Sequence, residues 1–574
     1  MLRRLVDQAA RPFRELGTTE RLIVLGVAIL HVTGIGWGLP ASDGWDVDGI
    51  APRDFLPGVI ETLTPGDYFT YPPFHLALLT LLTLPVTLFQ LARAPSLAPA
   101  DVVATFLSVP TMTTFAFVAR FVNFAMSIGI VMVVGKMAAS IFPSRSAKAW
   151  AMAVCGVEVA GTYYAHTTNL DMPALFWASL ALLATMRALE DDAPRRLRRV
   201  AMLAAFAIAS KDQAYAVVAL SLPVIVAAWL SSRPRGARAE VIREGLVSAA
   251  IGVGLVLLLD AALFNPTGFA ARVRFLTGPA SQDFAQHSRD WTGRLSALED
   301  AITFFPNHYP LALAPLLAAG FVIAMKGNEG RRRLVALVPA LAIVSFTVTF
   351  NCVARRVEER FMMPQMQLCA VYAGGIAVLV EKMRASSRAL GIAMWLAGAV
   401  CIALGLRLSS CVIATMLGDA RYDAERFIRD HIDRDETIEV YGGNVYLPRF
   451  PEGASVQRIG TDPTRARNPM PGVVEKQDRL GAIDERRPRW VVVSMGYAWR
   501  YLQEARGPVD GRVLPEIQRI GLQDEDTTNH VRSLFAERAG YAIAHVSHYE
   551  GTALLPRRPL HASLATDVFI FERR

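Results

Sequence analysis

The sequence predicts a polytopic α-helical membrane protein carrying a soluble α/β domain at its C-terminal end. Three observations predict it. Hydrophobic residues make up 53% of the 574 residues and charged residues only 19%, against about 45–50% and about 25% in ordinary soluble domains. The charge is unevenly divided: residues 1–413 carry net +9, whereas residues 414–574 carry net −1 at about twice the density of charged side chains. Apolar runs of spanning length, about 20 residues, recur through residues 1–413 and stop there. Disordered, collagen-like and disulfide-stapled chains are excluded. The five cysteines, Cys155, Cys352, Cys369, Cys401 and Cys411, form no CxxC pair and are absent from the tail, so they are expected as apolar packing residues rather than zinc ligands or a disulfide framework.

The spanning segments are expected at 21–39, 72–92, 102–118, 121–142, 149–165, 172–188, 199–212, 213–230, 245–263, 308–325, 334–350, 363–380 and 389–413. Polar breaks at Arg120 and at Ser210-Lys211-Asp212 are each taken as a turn between two spans. Lys and Arg concentrate in alternate loops (Arg145/Lys148, Arg195–Arg199, Arg233–Arg243, Lys326–Arg333, Lys382–Arg388), which the positive-inside rule assigns to the cytoplasm. Thirteen spans then put the N-terminus inside and the tail outside. The +8 net charge is therefore an orientation signal, and no nucleic-acid partner is implied. Alanine- and arginine-rich usage, with no Asn-x-Ser/Thr sequon other than Asn-Pro-Thr, suggests a bacterial inner membrane. In the tail, 421–433 and 524–538 read as amphipathic helices, 437–441, 490–494 and 566–572 as strands, and the Pro- and Arg-rich stretch 448–472 as a long loop.

Chemistry is sought on the outer face, in the long loops 40–71 and 264–307 and the short loops 166–171 and 351–362. Gly44-Trp45-Asp46-Val47-Asp48 follows the first span. Carboxylates beside hydrocarbon must be solvated, paired or metal-bound. Two at i, i+2 can act as general base and orienting partner, or share a divalent cation (Mg or Mn); an ordinary solvated loop is the plain alternative. Asp171, before Met172-Pro173, is a candidate site acid or simply a helix N-cap. Lys211 can meet an anionic head group, pair with Asp212, or snorkel. Arg355, Arg356 and Arg360 lie on the outer face against the positive-inside trend, which an anionic partner such as a lipid phosphate would explain; pairing with Glu358 and Glu359 is the alternative. Tyr68–Pro73, with Tyr71, and His75 open the second span, where an interfacial aromatic belt also accounts for tyrosines. His166 opens the 166–171 loop.

The order of these pieces resembles the GT-C superfamily of integral-membrane glycosyltransferases. It is most similar to the branch of protein O-mannosyltransferases and the bacterial aminoarabinose transferase acting on lipid A (family 39-type), over roughly residues 15–413. The resemblance implies a GT-C transmembrane catalytic domain and a polyprenyl-phosphate-linked sugar donor. It further implies a lipid, glycan or protein acceptor and inverting transfer at the outer face. It puts a catalytic base at Asp48 or Asp46, Asp171 as a second acid, and Tyr71, His166, Lys211, Arg355, Arg356 and Arg360 around the substrates. The family's Asp-Glu motif is altered here: Asp48 takes the Asp place, Gly49 replaces the Glu, and Asp46 is the nearest substitute carboxylate. A lipid or sugar transporter and a catalytically inactive relative are the rival readings. No internal repeat of the transporter kind is present.

Overall fold

The computed structural model describes residues 13–502, 524–558, 560, 563–564 and 566–574. Residues 13–417 form a helical body, and a six-stranded sheet domain follows. Eight described helical stretches are long and apolar enough to cross a membrane. A ninth is added if the pair Trp291–His308 and Leu311–Lys326, bent by 107°, counts as one span. Expected segments return as Pro73–Arg93, Asp171–Glu190, Arg235–Leu259 and Gly330–Phe346. The late spans correspond to Glu359–Ser386 and the helix Arg388–Leu417. Val109–Ile141 is one unbroken helix of 33 residues, so the turn expected at Arg120 does not exist. Arg120 is buried in mid-helix, and its Nη1 donates to the carbonyls of Ile35 at 2.6 Å and Trp37 at 2.8 Å. It thereby ties down the turn that follows the helix Thr18–Val32. The break at Lys211 is real: Leu197–Ile208 ends, Lys211 is extended, and a 3₁₀ turn at Asp212–Ala214 starts the next run.

In the tail the helix Ala420–His431 precedes β1 (Thr437–Tyr441). Next come β2 (Ser455–Gly460), β3 (Val473–Gln477) and β4 (Trp490–Ser494). The helix Glu525–Phe535, β5 (Tyr541–Ser547) and β6 (Val568–Arg573) complete it. The sheet order is β3-β2-β1-β4-β6-β5, with β1 to β4 parallel and the last two antiparallel to their neighbours. The stretch 448–472 is therefore not one loop, because it contains β2. That strand was hidden by Arg458, which is buried and paired with Glu475 at 2.5 Å where an apolar residue is expected.

The tail is seated on the loop after the first helix. Arg421 lies 4.0 Å over the Trp45 ring and pairs with Asp419 at 2.6 Å, while Asp419 accepts from Trp37 Nε1 at 2.9 Å. Trp45 Nε1 donates to the Leu447 carbonyl at 3.1 Å, and Asn444 Nδ2 to Asp43 at 2.7 Å. Arg449 donates to the Leu39 carbonyl at 2.6 Å. Tail and first loop thus share one face of the helical body.

Candidate functional site

Four chain segments meet under the tail: the first loop, residues 163–171, the Lys211 break and residues 355–361. In the first loop Asp46 is buried. Its Oδ1 accepts from the Tyr163 hydroxyl at 3.1 Å and from the Asp48 N–H at 3.4 Å, and its carbonyl accepts the Gly49 N–H at 3.1 Å. This tight turn leaves no room for a side chain at 49, where a Cβ would stand 2.8 Å from Thr168 Oγ1. A Glu at this position would not fit the turn as it stands. Asp48, more open than Asp46, pairs with Arg360 Nη1 at 2.5 Å.

Arg360 is also 3.3 Å from Glu358, and Arg356 is 2.8 Å from the same carboxylate. Burial alone would raise the Glu358 carboxyl, but Arg356 and Arg360 outweigh it and hold it below its ordinary range. The Arg–Glu pairing weighed from sequence is thus formed by Glu358. Arg356 is stacked over Phe284 and Phe361, at 4.9 and 4.7 Å. Arg355 is a left-handed residue, φ 54°, whose guanidinium donates to Gln282 at 2.6 Å.

Asp171 is the first residue of its helix and makes no capping bond from its side chain. The helix cap weighed for it from sequence is not formed. Its carboxylate instead meets Lys211 Nζ at 2.6 Å, both being largely buried. Lys211 in turn does not pair with Asp212, which is taken by Arg272. Arg272, missed from sequence, is buried over Phe69 and donates to the Thr70 carbonyl at 3.3 Å; nothing in its local sequence marks it. Tyr71 stands within electrostatic reach of Asp48, Arg360, Asp171 and Asp46. Burial, then the Asp48 charge, push its phenol up to about 12. Tyr164 faces the same charges and was also missed.

His166 is not gathered into this group. Its Nδ1 and Nε2 face the carbonyls of Thr162 and Thr33 at 2.6 and 2.8 Å, so it ties the 158–166 segment to the end of the first helix. His75 is buried. Among the described residues no group of three or more His, Cys, Asp or Glu could hold a metal. The pair Asp46 and Asp48 supplies only two carboxylates, one of them already neutralised by Arg360.

Asp171, Lys211 and Arg360 line one narrow, partly open cleft. Its other walls include Leu175, Ala178, Val217, Phe346, Phe361 and Pro364. One end carries the ion-paired Lys211 and Arg360 and the rest is mostly apolar, so an anionic head group would be met there only by exchange with a carboxylate.

No protein family and no curated protein matches the chain. Solved structures match loosely. ArnT from Cupriavidus metallidurans in the apo state is 14% identical with a TM-score of 0.43, covering 82% of this chain and 92% of that one. The oligosaccharyltransferase AglB from Archaeoglobus fulgidus is 12% identical with a TM-score of 0.47, covering 96% and 88%. The arabinofuranosyltransferase AftD from Mycobacteria is 14% identical with a TM-score of 0.38, covering 96% and 40%.

Proposed function

We propose that the chain is a membrane glycosyltransferase of GT-C type that takes a sugar from a polyprenyl-phosphate-linked donor. In this reading it passes the sugar, with inversion, to a lipid, glycan or protein acceptor at the face covered by the tail. The observation that carries it is the single cleft in which Lys211 and Arg360 head an apolar trough beside Asp171 and Asp48. The prenyl chain would lie in the trough and its phosphate would meet Arg360 and Lys211. The leaving group is already a phosphate monoester, so it needs charge neutralisation rather than a proton. The acceptor hydroxyl needs a base. Asp48 is the better candidate because it is more open than Asp46, which Tyr163 engages under the Trp45 roof.

Arg360 has two claimants in this scheme, Asp48 and the donor phosphate. When the phosphate draws Arg360 away, Asp48 loses its cation and becomes more basic, and the acceptor proton then goes to its carboxylate. By positive-inside bias the tail and site face away from the cytoplasm of a bacterial inner membrane.

Purified protein, polyprenyl-phosphate sugars and candidate acceptors test this. Asp48→Asn should lower kcat by roughly 10²–10⁴-fold, the range for a general base, with donor KM lowered because Arg360 no longer has to leave a carboxylate. Asp46→Asn should act more weakly. Full transfer by Asp48→Asn would move the base elsewhere. Lipid movement without any sugar transfer would favour a flippase, and neither activity an inactive relative.

A further inference from the structure

The second outer loop contains a helix that the transfer chemistry does not use. Trp291–Thr303 is capped by Asp290, whose Oδ1 accepts from Gly293 N–H and Thr292, both at 2.8 Å, and from Ser288 at 2.5 Å. These bonds, Ser288's first, hold the Asp290 carboxyl down at about 2. One face is small and buried: Gly293, Ala297 and Ala301. It packs on the segment 347–354. The opposite face is large, apolar and open: Trp291 and Ile302 are each 70% exposed, with Leu295 and Leu298 between them. The spacing 291, 295, 298, 302 makes one stripe.

A 107° bend separates this helix from Leu311–Lys326, whose Leu313, Leu317, Gly320 and Ala324 are buried in the helical body. Where the second helix runs across a bilayer, the first runs along its surface.

Two exposed cations flank the stripe, with the buried Arg355 behind them. Arg289 and Arg294 are exposed, and among the described residues neither meets a carboxylate within 4 Å. Burial and the charges of those two pull the Arg355 guanidinium below its ordinary range. Arg355 is joined to the same loop, since Gln286 N–H donates to its carbonyl at 2.9 Å. Exposed guanidinium groups beside an apolar stripe are stabilised by an anionic surface.

We propose that the Trp291–Thr303 helix lies in the head-group layer of the membrane and that Arg289 and Arg294 bind the phosphates of anionic lipids there. The stripe would sit about 5–10 Å into the head-group and acyl boundary. This site is independent of the transfer reaction.

Two measurements on the full chain in nanodiscs test it. A spin label on Leu298→Cys, and a second on Ile302→Cys, with labelling of the native cysteines subtracted, should be open to oxygen and shielded from a water-soluble nickel chelate. Nickel access equal to bulk water at both positions overturns the placement. In mixed phosphatidylcholine and phosphatidylglycerol discs, Arg289→Gln with Arg294→Gln should lower retention of phosphatidylglycerol by roughly fivefold for each arginine removed. Equal retention overturns the lipid site. Displacement of the lipid by inorganic phosphate at millimolar concentration would show a free-anion site and overturn it as well.

Discussion

Replacing Gly49 by alanine probes how tightly the first loop is seated. The added Cβ would stand 2.8 Å from Thr168 Oγ1 and 3.2 Å from both the carbonyl oxygen and Oδ2 of Asp46. None of these atoms is the loose end of a long side chain. The Thr168 hydroxyl is fixed on the Ile50 carbonyl at 2.8 Å, and Asp46 is held by Tyr163 and by the turn itself. Something must shift, at the ~1–3 kcal/mol typical of overpacking. About 1 kcal/mol more follows if Thr168 gives up its hydrogen bond. Asp48 is the adjacent residue and moves with the loop; under the proposed reaction it is the base, where a misplacement of ~1 Å costs on the order of 10²-fold in rate. Steady-state transfer from a polyprenyl-phosphate sugar, with thermal unfolding in the same detergent, reads both effects. Gly49→Glu, which adds a larger side chain and a second carboxylate beside Asp48, should be worse than alanine. Thr168→Ala in the Gly49→Ala background should recover part of the rate, because Oγ1 is gone. Full activity in Gly49→Ala, or a gain in Gly49→Glu, would refute the steric account.

Other outcomes follow from the same contacts. Asp171→Asn and Lys211→Met should each destabilise by ~3–5 kcal/mol as the remaining charge is left buried. The double variant should cost less than the two singles together, which a double-mutant cycle in thermal or denaturant unfolding measures. Arg421→Ala strips Asp419 of its partner and uncovers Trp45; hydrogen exchange at 437–447 should rise and transfer should fall. Burial, helped by Arg486, pushes the His530 imidazole down to about 4. Its folded pKa lies below the unfolded value of about 6.5, so the neutral form is the one the fold keeps. Its stability contribution is complete above about pH 6.5 and is lost as pH falls toward 4. Hydrogen exchange of β1 in the full chain should show that loss, and His530→Gln should flatten it.

Regular, single-purpose segments were legible in the sequence, and segments with a charge in the wrong place were not. Thr437–Tyr441 and Trp490–Ser494 are strands at the expected bounds because each is a continuous β-prone run closed by small or turn-forming residues. Ser455–Gly460 was unreadable because Arg458 points into the domain and is paid for by Glu475 and Asn444, partners distant in sequence. Arg120 misled for the same reason: its acceptors are the carbonyls of Ile35 and Trp37, more than 80 positions back. At the candidate site the residue types were right and several local partners were wrong. Asp171 was weighed as a site acid or a helix cap and Lys211 against Asp212, yet the two meet each other. Arg272, which takes Asp212, gave no signal at all, since an isolated Arg in an outer loop has many ordinary uses.

The pairing pattern bears on how such a site would work. Asp48, Asp171 and Asp212 each meet a cation from a different chain segment: Arg360, Lys211 and Arg272. Charges in a partly apolar cleft persist only when compensated, so a ligand phosphate can bind Arg360 or Lys211 only by exchange with a carboxylate. Under the proposed reaction that exchange links the two substrates. The carboxylate is held as a weak base while Arg360 sits on it, and it is released at the moment the donor phosphate arrives. The arrangement also bears on the Asp-Gly sequence at 48–49. A second carboxylate at 49 would compete with the phosphate for the same guanidinium, in a turn with no space for it. Glu358, which already contacts Arg360 at 3.3 Å from the other side, keeps that cation oriented toward the cleft whether or not Asp48 holds it.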